Sequence, residues 1–273
     1  MTSDLYTPAD VENWLIADLD LVRRMVGSRG ASSLLEHGPS LRELHEIQMC
    51  LSMAAIAKSD FGLALGHVAA ACEIWCRLVE NFPLVTPMDA RLIGSDDFRV
   101  LLRSHVIPDP NLVNRTANVY ERVLNQESRL PVDQRRGGSE SSAFGETLLR
   151  LTRREAVVDL GSSTGLGVRV AGESDEPSVI YYDSLRVCLE AVPSNDEPEF
   201  VERLVQAEAA WREYARLDQA HLPESVCFID GCALVRLFAW VHGQTPPMKL
   251  AWCPPELLSA VPEPTEWVPR IVS

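Results

Sequence analysis

The sequence has little lysine, no long apolar run and no basic leader. Only Lys58 and Lys249 are lysines, and the formal net charge is −14. Because contacts to phosphate need a basic surface, this charge argues against direct binding to nucleic acid. No apolar run approaches the roughly 20 residues of a membrane span, and the first residues do not resemble a signal peptide. We therefore expect a cytoplasmic protein that binds neither nucleic acid nor a membrane.

The common catalytic motifs are also missing. There is no G-x-S-x-G nucleophile elbow and no P-loop, and the six histidines are scattered. Cys72 and Cys76 lie on or beside an apolar helical stripe, which favours buried thiols over metal ligands. The seven cysteines are odd in number and irregularly spaced, which predicts reduced thiols rather than disulfides. We expect no catalytic residues, no metal and no cofactor.

Helical patterns dominate the N-terminal half. Thr7-Pro8 and Asp109-Pro110 have the form of an N-cap followed by a proline in the first helical turn. Ser40 to Glu43 has the form of a capping box. Apolar residues from Phe61 to Val79 recur at spacings of three and four, which predicts a continuous core helix. We expect this half to be entirely helical.

The C-terminal half also contains two clear helices, one from Phe200 to Asp218 and one from about Asp230 to Val241. Three apolar stretches, 156–160, 168–170 and 179–182, are compatible with short strands. The polar segment 125–142 predicts an exposed loop between an N-terminal half, 1–124, and a C-terminal half, 143–273. We predict a mostly α, multi-helix globular bundle in which the halves pack as one body. A homo-oligomer is compatible with this composition.

One glycine-rich segment favours an enzyme. Val157 to Gly165 followed by Ile180 to Asp183 resembles the first motif of S-adenosylmethionine-dependent methyltransferases, a strand and a glycine-rich turn before a second strand that ends in an acid. The resemblance implies cofactor contacts at Asp159, Gly161, Gly165 and Asp183. Only 90 residues follow Asp183, and their pattern predicts helices, whereas the methyltransferase fold needs further strands. A methyltransferase is therefore the alternative interpretation.

Negative charge is concentrated in one region. From Glu173 to Glu202 there are nine acids and a single base, Arg186. A solvated face that aids solubility would have this composition, and so would a surface that attracts a basic partner. On the second interpretation the residues that face the partner are Asp175, Glu176, Asp196, Glu197 and Glu199.

The order of blocks in the C-terminal third resembles the bacterial immunity protein 49 family of polymorphic toxin systems. The blocks are Tyr181 to Leu185, Asn195 to Phe200, Ala209 to Tyr214, Ile229 to Leu234 and Cys253 to Leu258. This resemblance implies a helical, non-catalytic protein that binds and neutralises one cognate toxin. The acidic charge favours a basic toxin, since complementary charge speeds association. A helical scaffold or adaptor protein is compatible with the same features.

Overall fold

The computed structural model describes residues 5–29, 37–82, 93–131, 135, 138–155, 176–247 and 250–265. Across these ranges the protein is a multi-helix globular structure with ten α-helices and no strand, which confirms the all-α prediction. The helices are α1 (Pro8–Arg29), α2 (Gly38–Ala57), α3 (Phe61–Asn81), α4 (Phe98–Ser104), α5 (Pro110–Glu127), α6 (Gly138–Thr152), α7 (Pro177–Ala191), α8 (Glu197–Asp218), α9 (Ile229–His242) and α10 (Pro255–Ser259).

The strand predicted at 179–182 is wrong, because these residues lie in α7. The sequence of this segment is compatible with either a strand or a helix. Tertiary packing favours the helix, because the ring of Tyr181 stacks on that of Tyr214 in α8 at a centroid distance of 5.3 Å. The other two strand candidates, 156–160 and 168–170, lie outside the described residues.

Side-chain caps explain where several helices begin. The backbone N–H of Thr7 donates to Asp10 Oδ2 at 2.7 Å, and Thr7 Oγ1 accepts from the N–H of Asp10 at 3.2 Å. Asp109 Oδ1 accepts from the N–H of Asn111 at 2.9 Å. Both predicted starts are therefore confirmed.

The start predicted for α2, with Ser40 as the N-cap, is wrong by three residues. This helix begins at Gly38, and its cap is His37, whose Nδ1 accepts from the N–H of Ser40 at 3.3 Å. Pro39 occupies the first turn, where a missing backbone N–H costs nothing, so the helix can start before Ser40.

The core is built around α3. Its apolar stripe is buried against α2 and α5, and Leu65, Cys72 and Trp75 are at most 1% exposed. Among the described helices, α3 is long and apolar enough to cross a membrane by length and composition, although 72% of its apolar window is buried in the protein. Burial inside a helical bundle accounts for the same apolar composition.

A polar network fixes the 3₁₀ turn Ser95–Asp97, which directly precedes α4. The carboxylate of Asp97 accepts from Arg42 Nη1 at 2.6 Å and from Trp75 Nε1 at 3.2 Å. The N–H of Ser95 donates to Glu127 Oε2 at 2.8 Å. These bonds supply partners to groups that would otherwise be buried at a high cost in free energy.

The N- and C-terminal segments contact each other across one continuous hydrophobic core. Helix α9 packs on α4 and α6, and the N–H of His221 donates to the carbonyl of Leu5 at 2.9 Å. Helix α5 extends to Glu127 and α6 begins at Gly138, so helix occupies both ends of the segment 125–142. The division into two halves stays a prediction.

The expectation that the cysteines are reduced is wrong for one pair. Cys232 in α9 and Cys253, which precedes α10, form a disulfide, and their Cα atoms are 5.7 Å apart. The two residues are 21 positions apart in irregular spacing, so only the tertiary fold reveals their proximity. The remaining described cysteines are free; they are Cys50, Cys72, Cys76, Cys188 and Cys227.

The C-terminal segment continues from α10 across the surface of α3. The N–H of Glu263 donates to the carbonyl of Gly62 at 3.0 Å. A Cβ atom at Gly66 would lie 2.0 Å from the carbonyl oxygen of Glu263, so the glycine permits this close approach. The disulfide and this contact attach the segment at both ends.

Candidate functional site

The predicted acidic residues fall at two separate places. Asp196 is the N-cap of α8, where its Oδ1 accepts from the N–H of Glu199 at 3.0 Å, and Glu197 lies in the same first turn. Glu176 precedes α7 and accepts from Ser178 Oγ at 2.8 Å. Asp175 lies outside the described residues.

Helices α7 and α8 form an antiparallel hairpin joined by residues 192–196. Tyr181, near the start of α7, stacks on Tyr214, near the end of α8, which confirms the antiparallel direction. A helix of 15 residues is about 22 Å long. Glu176 is therefore at the opposite end of the hairpin from Asp196, Glu197 and Glu199, and the predicted residues do not form one patch.

The segment Glu190–Glu202, which we call the hairpin tip, retains the acidic character. No basic residue occurs from 187 to 202, and the acids in the tip are Glu190, Asp196, Glu197, Glu199 and Glu202. Glu190 pairs with Arg186 at 2.7 Å, and Glu199 lies 3.8 Å from Arg203. In the described part of the chain, Asp196, Glu197 and Glu202 form no ion pair. The tip therefore presents uncompensated negative charge to solvent.

Contacts with α9 hold the hairpin tip in place. His242 Nε2 in α9 lies 2.6 Å from the carbonyl oxygen of Val192, and the rings of Phe200 and Phe238 stack at 4.5 Å. Asn195 adopts the left-handed conformation with φ 55°, which turns the chain into the cap of α8. The acidic side chains are thus carried on a backbone of fixed shape.

A buried charged cluster joins α4, α7 and α9, and sequence reasoning missed it. Arg103 Nε donates to Asp230 Oδ1 at 2.6 Å, and Tyr181 OH donates to Asp230 Oδ2 at 2.7 Å. Burial by itself would raise the pKa of Asp230, but the charge and hydrogen bond of Arg103 lower it overall. Burial, followed by the charge of Asp230, raises the pKa of Tyr181 well above its ordinary value. At neutral pH the cluster is a carboxylate held by a guanidinium and a neutral phenol.

The signal that could have revealed this cluster is the occurrence of single charges in apolar sequence. Arg103 follows Val100, Leu101 and Leu102, and Asp230 lies beside Ile229 at the start of the most apolar C-terminal helix. A charge in such a position is seldom buried without a partner. The pattern predicts that each has a partner, but it does not say which.

A cavity of about 60 Å³ lies against this cluster. Its walls come from α2, α4, α7, α8 and α9 together with the turn Pro223–Ser225. Arg99 and Glu224 add charged groups to the wall, and Trp211 and Tyr214 add aromatic rings.

Two ionisable groups near this cavity have shifted pKa values. Burial, followed by the negative charge of Glu224, raises the pKa of Asp18 to about 6. The same two causes, in the same order, raise the pKa of the Cys50 thiol to about 12. Since a thiolate is the reactive form of cysteine, Cys50 is a poor nucleophile at neutral pH.

The buried histidines act as neutral hydrogen-bonding groups. His45 Nδ1 lies 2.9 Å from the carbonyl oxygen of Ala71, and His67 Nδ1 lies 2.8 Å from Gln48 Oε1. Burial, the largest effect in each case, lowers the pKa of both to about 4. In the described ranges, no three His, Cys, Asp or Glu side chains are grouped as a metal site would require.

Of the four residues that would bind S-adenosylmethionine, the structure describes Asp183 alone. Asp159, Gly161 and Gly165 lie outside the described residues. Asp183 lies within α7 and not at the end of a strand, and its carboxylate is 3.9 Å from the guanidinium of Arg186. The second strand of the motif is therefore absent where the sequence predicted it.

No family model, curated protein or solved structure matches this chain. Its functional interpretation rests on its own residues, and the structure offers two candidate sites: the acidic hairpin tip and the cavity beside Asp230.

Proposed function

We propose that this protein is a non-catalytic immunity protein of the cytoplasm, which binds a basic bacterial toxin through the hairpin tip and so neutralises it. The observation that carries the proposal is the uncompensated negative charge of the tip on an anchored backbone. Exposed charges of one sign steer an oppositely charged partner into contact and raise the association rate. An anchored backbone loses little conformational freedom on binding, which favours affinity.

If the hairpin tip is the contact surface, acidic residues elsewhere in the protein do not contact the toxin. Glu197, Glu199 and Glu202 are the residues to change, because their charge can be removed without loss of the Asp196 cap. The matched control removes the charges of three acids on other helices, Glu12, Glu43 and Glu256. All three side chains are exposed. Both triple variants raise the net charge equally, so a general charge effect would change them alike.

The experiment begins with capture of the tagged protein's partner from the native lysate at low salt, followed by identification by mass spectrometry. The dissociation constant of the captured protein is then measured for the wild type, for the tip variant E197Q/E199Q/E202Q and for the control variant E12Q/E43Q/E256Q. We expect the tip variant to bind at least tenfold more weakly, with a slower association rate and a smaller salt dependence. We expect the control to bind like the wild type, and only the tip variant to lose protection of cells that express the toxin.

Several outcomes would contradict the proposal. Equal affinity of the two triple variants would remove the tip as the contact surface. Capture of several weak partners with no toxic activity would favour the scaffold or adaptor alternative. Saturable binding of S-adenosylmethionine in calorimetry, with no partner captured, would favour the methyltransferase. Circular dichroism of each variant separates loss of binding from loss of folding.

A further inference from the structure

The cavity beside the buried Asp230 is a second candidate site, at the opposite end of the α7–α8 hairpin from the hairpin tip and independent of the proposed function. Its volume is about 60 Å³. A single water needs roughly 10 to 15 Å³ measured in this way, so the space corresponds to about four to six waters. A ligand of that size has only a handful of non-hydrogen atoms.

The charges that line the cavity are of both signs. Arg103 and Asp230 neutralise each other in the bidentate pair already described, with the second contact, Arg103 Nη2 to Asp230 Oδ2, at 3.3 Å. Arg99 lies on the same wall one turn earlier in α4, and Glu224 lies on the wall formed by the turn Pro223–Ser225. Within the described residues, Arg99 has no carboxylate and Glu224 has no cation within ion-pair distance. Among the described residues that line the cavity, Arg99 and Glu224 are therefore one positive and one negative group outside any ion pair.

The neighbours of these two groups suit charged ligand atoms. The guanidinium carbon of Arg99 lies 5.7 Å from the ring centroid of Tyr182, which orients the side chain while its N–H groups stay available. Glu224 is exposed and close enough to the half-buried Asp18 to raise the pKa of that carboxyl, after burial as the larger cause. Two neighbouring carboxylates disfavour each other's charge, and a bound cation relieves this repulsion.

The remaining walls are aromatic and apolar. Trp211 and Tyr214 of α8 and Met49 and Met53 of α2 line the space. Aromatic faces stabilise ammonium groups, and the methionine side chains accommodate a small apolar group. A ligand that uses all of these features has a carboxylate, an ammonium group and little else.

We propose that this cavity binds a small zwitterion, namely a free α-amino acid with a short side chain, whose carboxylate pairs with Arg99 and whose ammonium group pairs with Glu224. A guanidinium binds a carboxylate through two parallel hydrogen bonds, which fixes the orientation of the ligand. The cavity volume selects glycine, alanine and serine over amino acids with large side chains.

The test is isothermal titration calorimetry of the full chain with glycine, alanine, serine and tryptophan, and with acetate and methylamine as probes of each charge alone. We expect saturable binding of the small amino acids. Acetate, methylamine and tryptophan should each bind at least tenfold more weakly. The variants R99Q and E224Q should each lose at least tenfold in affinity for alanine, and R99K should retain part of it.

Matched controls keep the charge changes comparable. R203Q removes an arginine from the exposed side of α8, and E43Q removes an exposed acid from α2; neither residue lines the cavity. Both controls should bind alanine like the wild type. Absence of saturable binding of any small amino acid to the wild type would overturn the proposal. So would full affinity in both R99Q and E224Q, or binding of acetate as tight as that of alanine. Thermal unfolding of R99Q and R99K shows whether a loss of affinity reflects a loss of fold.

Discussion

At the scale of single residues, Asp230 depends on two partners, because the residue is 2% exposed and its carboxylate accepts hydrogen bonds from Arg103 and Tyr181. Replacing Arg103 by methionine removes the positive charge and keeps most of the side-chain volume. The carboxylate is then left unpaired in the core, so we expect the free energy of unfolding to fall by about 3 to 5 kcal/mol. Urea unfolding followed by circular dichroism measures this change.

The double variant R103M/D230L separates the pair from its surroundings. Replacement of a whole buried ion pair by apolar residues is often nearly neutral, so we expect it to be more stable than R103M alone. Two results would contradict this account of the cluster: R103M as stable as the wild type, or R103M/D230L no more stable than R103M.

At the scale of helices, the start of α8 depends on one cap. Asp196 Oδ1 accepts from the N–H of Glu199, and Asn195 before it takes the left-handed turn. We expect Asp196→Ala to lower the free energy of unfolding by about 1 kcal/mol, because a backbone donor of the first turn loses its partner. Asp196→Asn keeps an accepting oxygen and should cost only a fraction of this. Chemical denaturation of the wild type and the two variants measures these differences. An equal loss of unfolding free energy in both variants would assign the effect to charge instead of capping.

At the scale of the whole molecule, buried groups make the stability depend on pH in opposite directions. Burial lowers the pKa of His45 and His67 to about 4, so the folded state keeps them neutral while the unfolded state binds protons below about 6.5. Their contribution to stability is present above pH 6.5 and is lost as the pH falls toward 4. Asp18 acts in the other direction, because its pKa is raised in the folded state to about 6.

Asp18→Asn isolates the acidic contribution. At pH 8 the wild-type carboxylate is ionised in a half-buried site near Glu224, so we expect the variant to be more stable by roughly 1 kcal/mol after allowance for solvent screening. This advantage should be complete above pH 6 and should shrink as the pH falls from 6 toward 3.8, where the folded wild type binds the proton. Urea midpoints of both proteins at pH 8 and pH 5 test it. An advantage that is constant or larger at pH 5 would contradict the assignment.

The sequence by itself determined the features that depend on neighbours along the chain. The caps at Thr7 and Asp109 and the apolar stripe of α3 involve residues within a few positions of one another, so hydrogen bonding and helical spacing predict them directly. The excess of acids before Arg203 is likewise a property of the sequence. These local signals were sufficient for the all-α class and for most of the helix boundaries.

Only the tertiary structure decided which distant groups meet. Arg103 and Asp230 are 127 positions apart, and Cys232 and Cys253 share no recognisable spacing, so neither pairing can be read from the chain. The antiparallel hairpin placed Glu176 about one helix length from the acids of the tip, although all of them belong to one acidic stretch. Packing of Tyr181 against Tyr214 also decided that 179–182 is helical. In each case the physical reason is the same: the stabilising contact comes from a segment remote in sequence, and periodicity and capping carry no information about it.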